Sequence, residues 1–283
     1  MNKQEIIGIL REEGLSPNKM YGQNFLINKT ITERIVNAAR ISENDRVIEI
    51  GPGLGELTEV ILSAGCRLLC VEIDAGLFRV VSKRFADNPN FKIIHSDFLK
   101  TENLGSFNKV VANLPYYCAS EILFSCAEQY NPELMCIMIQ KEMAERIVSS
   151  PGDESYGAMT VMLSHMYSSK IAFNVPPSSF FPQPDVTSSV VVMERRTADD
   201  LSAEERELFG KLVKGAFWGR RKTLMKACSS SPHVSIDKRI LLDAVRSLGL
   251  NDTVRGEELS PGQFIALARF IISSRVSHDK SEN

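Results

Sequence analysis

Short apolar runs that end in glycine or an acid recur along the first two thirds of this chain, and helical patterns separate them. Arg46–Ile50, Arg67–Ile73, Phe91–Ile94, Lys109–Ala112 and Leu134–Ile139 are too short and too uniformly apolar for surface helices. Their length and β-branched content suit buried strands. Leu57–Ala64, Leu77–Ala86 and Glu121–Ala127 read as helices between them, and Asn28–Ala39 precedes them with Ile31, Ile35 and Ala38 at helical spacing. Two further strands fit Lys170–Phe173 and Ser189–Glu194. Strands apolar on both faces and joined by helices predict an α/β fold on a mainly parallel seven-stranded sheet.

Past Arg196 the texture changes, and only helical patterns remain, at Ala203–Phe217, Ile236–Leu248 and Pro261–Ser273. Ser260 suits an N-cap with Pro261 at the first helical position. The expected division is a domain over 1–196 and a small all-helical domain over 197–283, linked by Thr197–Ser202. With 43% apolar and 24% charged residues, 283 residues are enough for both cores. No apolar run is long enough to span a bilayer. The N-terminus, Met1-Asn2-Lys3-Gln4-Glu5, leads into an amphipathic pattern rather than a secretory segment. The expected location is the cytoplasm, away from membranes. Six scattered cysteines make no C-x-x-C pair, and the histidines are not placed to complete a zinc site. Buried free thiols and no metal are expected.

In an open α/β sheet, ligands bind beyond the carboxyl ends of the strands. Gly51-Pro52-Gly53-Leu54-Gly55-Glu56 follows the first of these strands, Glu72 ends the second and Asp97 follows the third. Asn113-Leu114-Pro115-Tyr116 follows the fourth. The glycines let a ligand touch backbone. A carboxylate at the next strand end can accept both ribose hydroxyls. A dinucleotide fits less well, because Glu56 stands where the third glycine of G-x-G-x-x-G belongs and would repel a pyrophosphate. S-adenosylmethionine has no phosphate and carries a positive sulfonium, so an acidic rim suits it. Glu72 would hold the ribose diol, Asp97 the adenine amine, and Gly51 and Gly53 the methionine part. Glu49 could steer the ammonium group. Asp97 also suits a helix N-cap, and Asp74 reads as a surface or capping residue.

The tetrad suits alkylation of an exocyclic amine on a nucleobase. That nitrogen is a poor nucleophile because its lone pair is delocalised into the ring. The Asn113 carboxamide oxygen and the Leu114 carbonyl could accept its two N–H hydrogens. Pro115 fixes φ and biases Leu114 towards an extended conformation. Tyr116 could lie against the base. The same four residues also suit an ordinary turn after a strand.

Formal net charge is only −2, yet Lys214, Arg220, Arg221, Lys222 and Lys226 cluster without an acid between them, with Phe217 and Trp218 interleaved. Such a cluster is either a solvated helix face or a nucleic-acid contact.

With these residues in view, the chain resembles the ribosomal small-subunit RNA adenine-N6 dimethyltransferases, the KsgA family. The likeness runs from Asn18 to the end. It rests on Tyr21-Gly22-Gln23-Asn24-Phe25-Leu26, the loop from Gly51 to Thr58, the tetrad, Phe180-Phe181-Pro182-Gln183-Pro184-Asp185-Val186, and Arg220-Arg221-Lys222-Thr223-Leu224. The resemblance implies a Rossmann-like class I methyltransferase. It would transfer methyl groups from S-adenosylmethionine to N6 of two adjacent adenosines near the 3′ end of 16S rRNA in the small ribosomal subunit, with a role in subunit biogenesis. It implies that Asn24, Leu26, Gly51, Glu72, Asp97 and Asn113 bind the cofactor, and that Phe181 stacks on a flipped adenine opposite Tyr116. Phe180 would pack in the core. Lys214, Arg220, Arg221 and Lys222 would contact RNA. Tyr117-Cys118-Ala119-Ser120 departs from the polar run usual after the tetrad. Erm-type 23S rRNA adenine methyltransferases share the loop and a similar tetrad, and an RNA-binding assembly factor is a further alternative.

Overall fold

The computed structural model describes all residues except 19–20, 198–200, 220 and 280–283. Its strands are β1 (Phe25–Leu26), β2 (Arg46–Ile50), β3 (Arg67–Glu72), β4 (Phe91–His95), β5 (Lys109–Asn113), β6 (Leu134–Gln140), β7 (Tyr167–Val175), β8 (Phe180–Phe181) and β9 (Ser188–Arg195). Its α-helices are α1 (Lys3–Glu12), α2 (Lys29–Ala38), α3 (Glu56–Ser63), α4 (Ala75–Arg84), α5 (Ala119–Ser125), α6 (Lys141–Val148), α7 (Ala158–Met166), α8 (Ala203–Ala216), α9 (Leu224–Ser230), α10 (Lys238–Ser247) and α11 (Pro261–Asp279).

Seven strands form one sheet in the order β4-β3-β2-β5-β6-β9-β7. The pairs β2–β3, β3–β4, β2–β5 and β5–β6 are parallel, and β9 runs antiparallel to β6. After β2 the chain builds outward through β3 and β4, then crosses back to β5 on the other side. That reversal makes the carboxyl end of β2 the switch point, where a ligand crevice opens. The expected mainly parallel sheet of seven strands is therefore present. Val47, Ile48, Val110, Val111, Met135 and Ile137 are all at most 1% exposed, as strands covered on both faces require.

The chain divides into two compact units, residues 1–144 with 169–195, and residues 145–168 with 196–283. The single cut expected between 196 and 197 therefore misses a segment. Residues 145–168 belong with the helical unit because Tyr156 and Val161 pack into a core with Leu212 and Val213 of α8 and Phe264 and Leu267 of α11. Tyr156 also donates its hydroxyl to the Leu259 carbonyl at 2.7 Å. This burial comes from side chains distant in sequence, so no local pattern marks it. The Thr197–Ser202 linker includes residues 198–200, outside the described residues.

A second, two-stranded sheet pairs Phe25 with Phe181 and Leu26 with Phe180, antiparallel. The Ile27 N–H extends it by donating to the Ser179 carbonyl at 2.8 Å. This ribbon joins the segment before α2 to the Phe-Phe-Pro segment. Beside it, α1 buries Ile6 and Leu10 against Phe25, Leu54, Leu77 and Val80. α1 starts at a capping box in which Asn2 and Glu5 satisfy each other's backbone N–H groups. All six cysteines are buried free thiols. Among the described residues no helix is long and apolar enough to cross a membrane.

Candidate active site

A cleft with a cavity volume of about 100 Å³ opens at the carboxyl ends of β2, β3 and β5. Asn24, Leu26, Gly51, Gly53, Glu72, Asn113, Leu114 and Tyr116, all anticipated from the sequence, line it together. Each arrives by a local cause. The β2–α3 loop turns through three left-handed glycines, Gly51 (φ 70°), Gly53 (φ 63°) and Gly55 (φ 89°). A Cβ at Gly51 would meet nothing within 4 Å, so this glycine leaves open cleft beside the backbone. A Cβ at Gly55 would stand 2.6 Å from the Phe85 ring, so its hydrogen permits close packing instead.

Glu72 is 4% exposed. It accepts the Gly53 N–H at 3.3 Å through one oxygen and the Asp74 N–H at 2.9 Å through the other. Two carboxylate oxygens offer about four acceptor sites, so two remain for vicinal hydroxyls. Burial pushes the Glu72 carboxyl up to about 7, against the pull of those two N–H donors. Glu49 is also buried, receives Thr58 Oγ1–H at 2.6 Å and Cys70 Sγ–H at 3.4 Å, and is likewise pushed up to about 7. Glu56, in the first turn of α3, is pushed up to about 7 by burial, and its Oε1 has no hydrogen-bond partner. Three buried acids around one cleft are costly to ionise unless a cation enters.

Asn113 ends β5 half-buried, and its Nδ2–H donates to the Asn24 carbonyl at 3.1 Å. A carbonyl accepts only, so this contact fixes the amide orientation and leaves Oδ1 as the free acceptor. Leu114 is 1% exposed, and its N–H reaches the Met138 carbonyl at 3.1 Å, continuing the ladder to β6. Tyr116 lies half-buried with its hydroxyl 2.9 Å from Ser188 Oγ. Burial raises the Tyr116 hydroxyl above its ordinary value.

Two anticipated residues are not in the cleft lining. Asp97 Oδ1 caps the short turn Phe98–Lys100 by accepting the Leu99 N–H at 3.0 Å, and its Oδ2 lies 3.4 Å from Lys100 Nζ. Its capping alternative is thus realised. Phe181 is half-buried against the α1 cluster, with Lys3 Nζ 5.3 Å from its ring centroid. Its strand partner Phe25 does line the cleft. Phe180 is 3% exposed in the core, as expected. In the helical unit, Lys214, Arg221 and Lys222 are exposed, and Arg220 lies outside the described residues.

The geometry agrees with a comparison to known sequences: the model of the family described as ribosomal RNA adenine dimethylase matches residues 14–272. The chain belongs to this family. The "Ribosomal RNA small subunit methyltransferase A" of Clostridium perfringens is 39% identical over 257 residues, covering 89% of each protein. The protein of the same name from Halothermothrix orenii is 34% identical over 285 residues, covering 97% of this chain and 94% of its own. Among solved structures, a dimethyladenosine transferase from Plasmodium falciparum superposes with a TM-score of 0.75 at 27% identity, over 86% of this chain and 95% of its own. The 23S rRNA methyltransferase ErmE superposes with a TM-score of 0.70 at 24% identity, over 88% of this chain and all of its own. That second likeness shows a shared fold.

Within the dimethylase scaffold the structure adds two residues that sequence reasoning missed. Ile73 lines the cleft directly after Glu72 and is 36% exposed, an apolar face beside the Glu72 carboxylate. Its signal was a β-branched residue between two acids at a strand end. Gln23 donates Nε2–H to Asp74 Oδ2 at 3.2 Å, while its Oε1 accepts the Asn18 N–H at 2.8 Å. Asp74 in turn caps α4 through the Gly76 and Leu77 N–H groups. Gln23 therefore ties the cleft-lining segment 21–24 to the N-cap of α4, which no spacing rule reveals.

Proposed function

We propose that this dimethylase transfers methyl groups from S-adenosylmethionine to N6 of two adjacent adenosines near the 3′ end of 16S rRNA, within the small ribosomal subunit. The observation that carries the reading is Asn113, a lining residue whose Nδ2–H is committed to the Asn24 carbonyl so that Oδ1 is left as an acceptor, in a cleft lined by three buried acids. The names of the relatives that share most of the chain support the small subunit as the substrate particle.

The cleft fits the cofactor. Glu72 has two acceptor sites left for a ribose diol, Gly51 leaves open space beside the backbone, and Glu56 Oε1 is a buried acceptor without a partner. Glu72 is assigned the ribose, Asp97 the adenine amine, Ile73 an adenine face, Gly51 and Gly53 the methionine end, and Asn24 and Leu26 a cover over the cofactor. When bound, S-adenosylmethionine supplies an electrophilic methyl group on a sulfonium.

The chain's residues then prepare the acceptor. Asn113 Oδ1 and the Leu114 carbonyl accept the two N6 hydrogens and draw the lone pair out of conjugation. Tyr116 presents a ring held by its hydroxyl contact to Ser188. Phe181, one strand across from Phe25, is assigned the opposite face of the base. Extruding the base costs a few kcal/mol, and each aromatic face returns about 1–3 kcal/mol. Holding N6 in line with the methyl group contributes roughly 7–11 kcal/mol of barrier lowering. Aromatic faces also favour the positive charge that develops on the amine. Lys214, Arg220, Arg221 and Lys222 are assigned RNA phosphates, so affinity should fall with salt.

The test is methyl transfer from labelled cofactor to undermethylated small subunits and, in parallel, to large subunits. Label on the small-subunit RNA alone is expected. Label on the large-subunit RNA alone would replace this reading with the Erm-type one.

A further inference from the structure

The turn between α8 and α9 carries the chain's one tryptophan. Trp218 is 52% exposed, while its neighbour Phe217 turns inward to Tyr156 and Phe264, with ring centroids 6.0 and 6.3 Å away. The pair thus divides into an anchoring ring and an outward ring. The indole meets the exposed His233 ring edge-on, centroids 5.2 Å apart at 78°. His233 comes from the loop after α9, so the indole is braced from a second element. The Lys222 N–H closes the turn on the Gly219 carbonyl at 2.8 Å, and Lys222 Nζ donates to Ser230 Oγ at 3.0 Å.

Charge sets this turn apart from the rest of the unit. Elsewhere in the unit several exposed cations are matched: Lys211 with Glu207 at 2.5 Å, Arg246 with Asp252 at 2.7 Å, Arg255 with Glu257 at 3.7 Å and Arg269 with Glu205 at 3.1 Å. No acid occurs in the chain between Glu207 and Asp237. Among the described residues, no ion pair neutralises Lys214, Arg221, Lys222 or Lys226, all exposed. A braced, outward aromatic ring among unneutralised cations is the chemistry that holds single-stranded nucleic acid: stacking for a base, charge for its phosphates.

We propose that Trp218, braced by His233, stacks on an unpaired base of the substrate RNA while Lys214, Arg221 and Lys222 hold the flanking phosphates. The inference rests on the RNA reading above and adds a base-stacking contact remote in sequence from the tetrad. Stacking is sequence-tolerant, so this contact strengthens docking and leaves the choice of methylated base to the cleft.

A sole tryptophan makes the test direct. The full chain is titrated with a labelled single-stranded RNA of about 12 nucleotides, a length within the range such grooves cover. RNA anisotropy and Trp218 emission are followed together. Emission is expected to change and to saturate with the anisotropy. W218A should weaken RNA binding by about 5- to 100-fold, W218F less, and neither should move the affinity for S-adenosylhomocysteine. With small subunits as the second probe, W218A should raise KM by a similar factor at unchanged kcat. Saturation with silent Trp218 emission, or a W218A variant with wild-type RNA affinity and KM, would overturn the stacking contact. Wild-type transfer to small subunits in that case leaves the function standing. Absence of any transfer would sink the function itself.

Discussion

Asn113 at the end of β5 donates its amide N–H to the Asn24 carbonyl at 3.1 Å. One hydrogen bond thereby links the tetrad to the loop that precedes β1. It also decides which amide atom is left to accept, because the carbonyl can only accept. The acceptor that would draw out an amine lone pair is therefore oriented before any base arrives.

Removing that acceptor tests its role. Asn113→Ala should lower kcat for methyl transfer by about 10²–10³-fold, the range found for loss of one preorganised polar group. Asn113→Asp should fare no better, since a carboxylate cannot donate to the Asn24 carbonyl. Single-turnover kinetics checks both, with circular dichroism to show that each variant folds.

Gln23→Ala should separate cofactor affinity from stability. It deletes the contacts to Asp74 and to the Asn18 N–H, which hold the cleft-lining segment 21–24. Loosening that segment should weaken S-adenosylhomocysteine binding by about 10-fold, the cost of roughly one net hydrogen bond. The melting temperature should change little, because Asp74 keeps both capping bonds to α4. Calorimetry and a thermal melt measure the two quantities.

The three raised acids predict opposite pH trends for stability and binding. Burial holds Glu49, Glu56 and Glu72 each at about 7, above the ordinary 4.5. The folded, ligand-free protein therefore binds more protons than the unfolded chain between those values. The stability this proton uptake gives is full below pH 4.5 and is lost as pH rises through 7. Binding a cationic cofactor favours the ionised acids, so its affinity should fall by about tenfold per pH unit below 7 for each acid that must ionise. Glu56→Gln should flatten part of the stability trend. Melts and calorimetry from pH 5 to pH 8 report both slopes.

Gly55→Ala should destabilise the sheet unit by at least about 1–3 kcal/mol. Its φ of 89° disfavours a side chain, and the added Cβ would lie 2.6 Å from Phe85. Phe85 packs against the sheet core and Arg84 beside it donates to the Leu54 carbonyl at 2.7 Å, so the loop cannot shift freely. The denaturation midpoint measures the loss.

Much of this architecture was legible because its signals are local. Arg46–Ile50 matches the predicted strand, and β3, β4, β5 and β6 differ from expectation by one residue at one end. A strand buried on both faces writes its burial into consecutive residues. The cleft residues at strand ends were legible for the same reason. What escaped was tertiary. The two-residue strands β1 and β8 have no periodicity and exist because Phe25 and Phe181 meet across the chain. The helices α6 and α7 lay unmarked, and the packing of Tyr156 and Val161 with the helical unit depends on partners far away in sequence. The helix expected to stop at Ser273 continues to Asp279, since neither Gly nor Pro interrupts it there. Phe181 shows the limit most clearly. The family resemblance implies a stacking role for it at the base, while in this structure its ring lies beneath Lys3 and outside the cleft lining.

The central claim is that Asn113 stands where a methyl group meets an adenine amine, and nucleoside analysis tests it most directly. Undermethylated small subunits are incubated with the protein and labelled S-adenosylmethionine, and the RNA is digested and resolved. The expected product is N6,N6-dimethyladenosine, present with the wild type and formed about 10²–10³-fold more slowly with Asn113→Ala. Unmodified adenosine after wild-type treatment, in protein that binds the cofactor, would contradict the claim.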